Sequence, residues 1–157
     1  MEPSPELKGR MLKLYDVMSR GDAAATLALY STRPGILNIG TDPKEWWTDP
    51  KRHAEIMTAQ LAELAGTRFI AQNIIAYREG SVGWTADASK VRLPDGSEVP
   101  FRFTAVWHLE GEEWKVVQSH TSFPVANEQA INKELTTEPR PGHRDGGMGR
   151  RGLSPRV

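Results

Sequence analysis

The chain has 157 residues, enough for one well-buried domain and too few for two. Its 20 basic and 20 acidic residues cancel, so no global field favours nucleic acid or an anionic membrane as partner. There is no cysteine, which excludes disulfides, thiolate metal sites and a cysteine nucleophile, and no apolar run approaches the ~20 residues of a membrane span.

The opening Met1–Glu6 lacks the basic and then apolar regions of a secretory signal, so a cytoplasmic location is expected. Pro3 and Pro5 read as a loose start. From Glu6 to Arg20, apolar residues at Leu7, Met11, Leu12, Leu14, Tyr15 and Met18 fall at helical spacing. Gly21 ends that helix, and Asp22 caps a second, alanine-rich one through Tyr30. Ile36–Ile39 is a short strand candidate. Thr41 or Asp42 followed by Pro43 predicts a one-turn helix carrying Trp46 and Trp47, and Asp49-Pro50 opens a longer helix closed by Gly66. Its expected apolar face is Ile56, Ala59, Leu61, Leu64 and Ala65.

After Gly66 the period changes to two. Strands are predicted over Phe69–Arg78, Ser81–Val91, Val99–Leu109 and Trp114–Phe123, separated by Gly-containing turns. Helices first and a four-strand meander afterwards predict an α+β fold, with helices packed on one face of a curved antiparallel sheet. The expected domain covers residues 1–127. Beyond it lies an extension, 128–157, with a short helical turn near Glu128–Leu135. From about residue 136 the extension is too poor in apolar groups to order itself. Its scattered arginines lack interleaved aromatic residues for stacking bases, so it reads as a solvated tail.

No phosphate loop, dinucleotide fingerprint, zinc-binding histidine pair or nucleophile elbow is present, and the four histidines are scattered, so neither a cofactor nor a metal is expected. In the last strand, alternation puts Trp114, Val116, Gln118, His120 and Ser122 on one face: an apolar strip ending in three polar groups, the pattern of a pocket wall. The plainer alternative is that His120 braces the sheet end by hydrogen bonding. Asp87, if turned inward, is a second candidate acid or base, but a solvated Asp87, or one paired with Arg102, is the preferred expectation. Alternation puts Trp84 and Asp87 on opposite faces. Of Trp46 and Trp47, one is expected to plug the core and the other to lie over an opening.

The pairing of the last two strands stays open. If Leu109 opposes Trp114 throughout, Phe103 lies opposite His120, and Phe101, Phe103, Trp107, His120 and Ser122 share a face. A slip of one residue brings Arg102 and Thr104 beside His120 instead.

Several motifs, in order, resemble the SnoaL-like family of the nuclear transport factor 2-like superfamily. They are Ser19-Arg20-Gly21-Asp22-Ala23-Ala24-Ala25, then Ile39-Gly40-Thr41-Asp42-Pro43 with Trp46-Trp47, then Gly83-Trp84, Asp95-Gly96 and Phe103-Thr104-Ala105-Val106. Trp114-Lys115-Val116-Val117 with His120 and Ser122 completes the set. The resemblance spans about Leu7 to Asn127. It implies a cone-shaped α+β fold, commonly dimeric through the sheet, with an apolar cavity between helices and sheet. Its enzymes place Asp or His in the cavity at differing positions, so no catalytic residue carries over.

Three functions are compatible with these observations. The first, preferred, is a module binding a small apolar or aromatic molecule through Trp46, Trp47, Phe101, Phe103, Trp114, Gln118, His120 and Ser122. The second is a proton-transfer enzyme of isomerase, cyclase or dehydratase type, using His120 or Asp87 on a carbonyl-bearing substrate. The third is a dimerising accessory domain without a ligand. A homodimer is expected because both faces of the last two strands carry apolar groups, among them Val106, Val117 and Phe123.

Overall fold

Helix α1 (Pro5–Ser19) starts where Ser4 accepts the Leu7 amide on its hydroxyl, with Pro5 filling the first position, where no donor is required. The computed structural model describes residues 1–138. Leu7, Met11, Leu14 and Val17 of α1 are fully buried, while Leu12 is half exposed on the opposite side. The start of the chain is not loose. Strand β1 (Glu2–Pro3) pairs with strand β5 (Ile75–Glu79), and Ser4 donates its amide to the Ala76 carbonyl at 3.0 Å. Gly21 adopts φ of 67° and closes α1 with amide bonds from Gly21 to Met18 and from Asp22 to Val17. Asp22 then caps α2 (Ala23–Leu27) through the Ala25 amide.

Strands β2 (Leu37–Ile39) and β3 (Trp46–Trp47) follow. Trp46 and Trp47 therefore lie on a two-residue strand, not on the one-turn helix expected, because β2 offers both a pairing partner at Asn38 and Ile39. Asp49 caps α3 (Pro50–Glu63) through the Arg52 amide. The strand expected over Phe69–Arg78 is split into β4 (Arg68–Ile70) and β5, since β4 pairs with the far end and β5 with the near end of β6 (Val82–Arg92). Strands β7 (Glu98–Glu110) and β8 (Glu113–Ser122) complete a curved, unclosed and mostly antiparallel sheet in the order β1-β5-β6-β7-β8-β2-β3, with β4 beside β6. The meander of long strands is as expected; the short strands at its edges come from segments lacking period-two patterning.

The chain divides into two units, residues 1–124 and residues 125 onward. In the second, α4 (Asn127–Ile131) ends at Asn132, which takes the left-handed conformation at φ of 51°. Most of the expected solvated tail, from residue 139, lies outside the described residues.

The core of the first unit is the α1 stripe packed on inward residues of β6, β7 and β8, with Trp107, Trp114 and Val116 at 1% exposure or less. Where α1 crosses β6, the residue is Gly83. A Cβ there would collide with the Leu7 side chain and stand 2.7 Å from the Tyr77 carbonyl oxygen. Gly83→Ala should cost about 1–3 kcal/mol of unfolding free energy by overpacking. Gly9→Ala, in mid-α1 with no neighbour within 4 Å of a new Cβ, should add about 0.5–1 kcal/mol. Urea unfolding of the two variants beside the parent checks both signs.

Candidate functional site

The pairing of β7 with β8 decides what faces the helices. Leu109 opposes Trp114 and Trp107 opposes Val116, but the next pair is Val106 with Gln118, leaving Val117 as an extra residue. Beyond this bulge Thr104 opposes His120 and Arg102 opposes Ser122. Both alternative registers are therefore present, one on each side of Val117. On β7 the inward residues remain Phe101, Phe103, Ala105 and Trp107, all buried. On β8 they change from Trp114 and Val116 to Ser119 and Thr121.

The expected strip of Gln118, His120 and Ser122 is corrected by this bulge. These residues pair with Val106, Thr104 and Arg102, the outward series of β7, and His120 is exposed. Trp114 is inward but sealed in the core away from the pocket, and Trp46 is 62% exposed. Trp47, Phe101 and Phe103 do line the pocket.

That pocket, of about 460 Å³, lies between α1, α3, the β2–β3 segment and the inner sheet face. One part is aromatic. The Tyr15 ring stands 6.4, 6.2 and 6.1 Å from Phe69, Phe101 and Phe103. Phe69 meets Phe101 edge-on at 6.0 Å. Met57 and Leu61 of α3 and Leu64 at its C-terminal cap also line it, and Leu64 is 42% exposed.

The other part is polar and deeply buried. An inward row crosses the sheet from Thr85 through Ala105, Ser119 and Asn38 to Trp47. Ser119 donates its hydroxyl to Asn38 Oδ1 at 2.7 Å. His53, in the first turns of α3, sits with its ring 4.9 Å from Tyr30 and 5.9 Å from Trp47. Burial lowers the His53 pKa to about 4, so its ring is neutral near pH 7, and burial raises the Tyr30 hydroxyl to about 12. Among the described residues, Asn38 Nδ2 and His53 Nε2 are fully buried without a hydrogen-bond partner. At the pocket's edge Glu45 lies against Gly40 and accepts the Asp42 amide at 3.0 Å and the Gln60 side-chain amide at 2.5 Å, which ties the 40–45 loop to α3.

Asp87 is not solvated, nor does it pair with Arg102. It is 5% exposed, because the inward series of β6 is Gly83, Thr85, Asp87, Ser89 and Val91. Trp84 falls on the opposite face, as alternation requires. The Asp87 carboxylate accepts the Asn73 amide at 2.7 Å, the Gln72 amide at 3.2 Å and the Ser89 hydroxyl. Since Ser89 donates to Asp87, it accepts from Tyr15 at 2.7 Å. Burial, partly offset by this bond, raises the Tyr15 phenol well above its ordinary range. Asp87 thus pins the segment after β4 and the foot of Tyr15, and it does not line the pocket.

Sequence reasoning missed Tyr15, Tyr30, Asn38, His53, Ser119 and Thr121. For His53 there was a usable signal: His53, Met57, Gln60, Leu61 and Leu64 fall at intervals of three and four along a helix opened by Asp49-Pro50. Ser119 and Thr121 had none, because Val116 and Val117 are equally fit to face inward.

The buried neutral imidazole has a consequence for stability. Its folded pKa, about 4, lies below the ordinary 6.5, so between these values the unfolded chain holds more protons than the folded one. Unfolding free energy should therefore fall on acidification through that window, by on the order of 2–3 kcal/mol from this group. His53→Phe should remove that part of the slope, measured by urea unfolding across the pH series.

The model of a family described as "SnoaL-like domain" matches residues 8–126. No curated protein matches the chain. Among solved structures, a nuclear transport factor 2-like protein of unknown function from Pseudomonas putida KT2440 superposes with a TM-score of 0.72 at 14% identity. That match covers 88% of this chain and all of the other. A member of the same fold family from Streptomyces avermitilis gives 0.70 at 14% identity, covering 77% of this chain and 95% of its own. A cystatin-like-fold protein of unknown function from Nostoc punctiforme gives 0.66 at 12% identity, covering 79% and 96%. With the helix–sheet arrangement described above, these matches establish that the chain belongs to the SnoaL-like domain family and has the fold of nuclear transport factor 2-like proteins.

Proposed function

We propose that this protein binds a small, largely apolar molecule in the pocket between α1, α3 and the inner sheet face, and that it does so in the cytoplasm. One observation carries the reading: a concavity of about 460 Å³ walled by Tyr15, Phe69, Phe101, Phe103 and Trp47, within the size range of small-molecule sites. Binding is favoured over proton transfer by His120 or Asp87. The first lies on the outward series of β8, and the second already accepts three hydrogen bonds outside the pocket wall.

The register of β8 supplies a sharp test. Thr121→Trp should fill the pocket and abolish binding of a hydrophobic fluorescent probe, whereas His120→Trp, one residue away on the other face, should leave it intact. Parent and Thr121→Trp proteins that bind the probe equally would sink the proposal.

We also propose a homodimer formed through the outer sheet face. Tyr77 and Trp84 stack there at 5.3 Å, Val106 is the cross-strand partner of Trp84, and Ile75 and Val82 are each 46% exposed. An exposed apolar cluster of this kind marks a candidate protein–protein contact. Of the residues named from sequence for this role, Val106 is on that face, whereas Phe123 lines the pocket. Sedimentation should give a dimer at concentrations on the order of tens of micromolar. Trp84→Glu should give a monomer that keeps the pocket.

A further inference from the structure

We infer that the pocket selects a neutral ligand carrying an uncharged oxygen, a hydroxyl or a carbonyl, on a ring-bearing apolar body, and that Asn38 and His53 recognise that oxygen. The inference rests on the binding role proposed above and specifies what is bound.

The charge of the ligand follows from the lining. Among the described residues, the pocket wall contains no lysine or arginine, and its charged members are Glu45 and Glu63. The one imidazole on the wall, His53, is neutral near pH 7. A carboxylate or phosphate would thus lose its hydration, gain no counter-charge and meet two carboxylates near the opening. Glu45 itself is engaged by Gln60 and by the Asp42 amide, so it is not a free partner for a cation.

The oxygen follows from two atoms. Asn38 is 1% exposed and His53 2% exposed, and Asn38 Nδ2 and His53 Nε2 have no partner among the described residues. Buried polar atoms are nearly always paired, and leaving one unpaired costs about as much as losing a hydrogen bond. The Asn38 amide is held by Ser119, which donates to its Oδ1 and so commits Nδ2 as a donor. Asn38 is the cross-strand partner of Trp47, against whose ring His53 packs, and all three residues line the pocket, so the two residues belong to the same end of it. A donor amide calls for an acceptor oxygen. A neutral imidazole nitrogen accepts from a ligand hydroxyl or, as the other tautomer, donates to a carbonyl. The rest of the wall, the Tyr15–Phe69–Phe101–Phe103 group, offers ring faces and edges and suits an aromatic or alicyclic body.

Four matched probes test this by calorimetric titration of the full chain near pH 7: naphthalene, 2-naphthol, 2-acetylnaphthalene and 2-naphthoate. We expect 2-naphthol or 2-acetylnaphthalene to bind about tenfold tighter than naphthalene, as one or two hydrogen bonds to buried atoms provide, with 2-naphthoate weakest. Which of the two binds tighter separates the hydroxyl from the carbonyl. Asn38→Asp keeps the acceptor for Ser119 and removes the donor; His53→Phe keeps the ring and removes the nitrogen. Each should reduce the ratio of oxygen-probe affinity to naphthalene affinity severalfold, a ratio read within one and the same variant. If Asn38→Asp misfolds, Asn38→Ser removes the amide without adding charge, and the same comparison applies. Equal binding of naphthalene and its oxygen derivatives, tightest binding of 2-naphthoate, or variants that keep the full oxygen advantage would each overturn the assignment while leaving the pocket reading intact. Failure of all four probes to bind would overturn both.

Discussion

One extra residue in β8 organises the site. At Val117 the pairing with β7 slips by one position, so that Trp114 and Val116 on one side of the bulge and Ser119 and Thr121 on the other all face the helices. Without it, the strand would aim His120 inward and Ser119 outward, and Asn38 would lose the hydroxyl that orients its amide. A bulge adds a single unpaired residue and a local bend, and re-aiming a side chain near a site is one of its recurrent uses. Here the change is from core to pocket. The Trp114 end of β8 belongs to the same hydrophobic core as the α1 stripe, and the Ser119 end lines the pocket.

The second constraint is the crossing of α1 over β6. Gly83 lets Leu7 sit against the strand, bringing α1 close enough for Tyr15 to reach Ser89 and, through it, Asp87. The buried carboxylate receives three hydrogen bonds, two from backbone amides of the segment after β4. A carboxylate so surrounded is a joint rather than a reagent: it locks the foot of the pocket's aromatic wall to the sheet. The polar end of the pocket is built differently: among the described residues, Asn38 Nδ2 and His53 Nε2 have no hydrogen-bond partner. The contrast between a saturated Asp87 and an unsaturated Asn38–His53 end separates a part that holds the fold from a part left with hydrogen-bonding capacity.

Much of the architecture was legible in the residues. The Asp22 and Asp49 caps, the glycine stop at Gly21 and the period-two runs of β6, β7 and β8 each have a local cause and predict element boundaries to within a few residues, whereas the Ser4 cap of α1 was not read from the sequence. Less was legible where pairing supplies the order. Residues Glu2–Pro3 and Trp46–Trp47 become strands because an edge is available to them, not because of their own pattern. Trp46 and Trp47 do divide into one exposed and one buried ring, an outcome that adjacent positions on any extended or helical segment impose.

By itself, the sequence determined an α+β domain with capped N-terminal helices and a long-stranded meander, since capping, glycine stops and hydrophobic period act over a few residues. Alternation alone also grouped Phe101, Phe103, Ala105 and Trp107 of β7 as one apolar series, opposite Arg102, Thr104 and His108. Only the tertiary structure decided which series of β8 joins it, because two adjacent valines satisfy either register and the choice depends on pairing with β2 and β7. The same holds for His53 and Asp87. Burial of a polar side chain depends on what stands across from it, and the partners are remote: Tyr30 and Trp47 for the imidazole, Gln72, Asn73 and Ser89 for the carboxylate. Such neighbours are set by the crossing of helix on sheet, a distance in space that no local pattern of residues encodes.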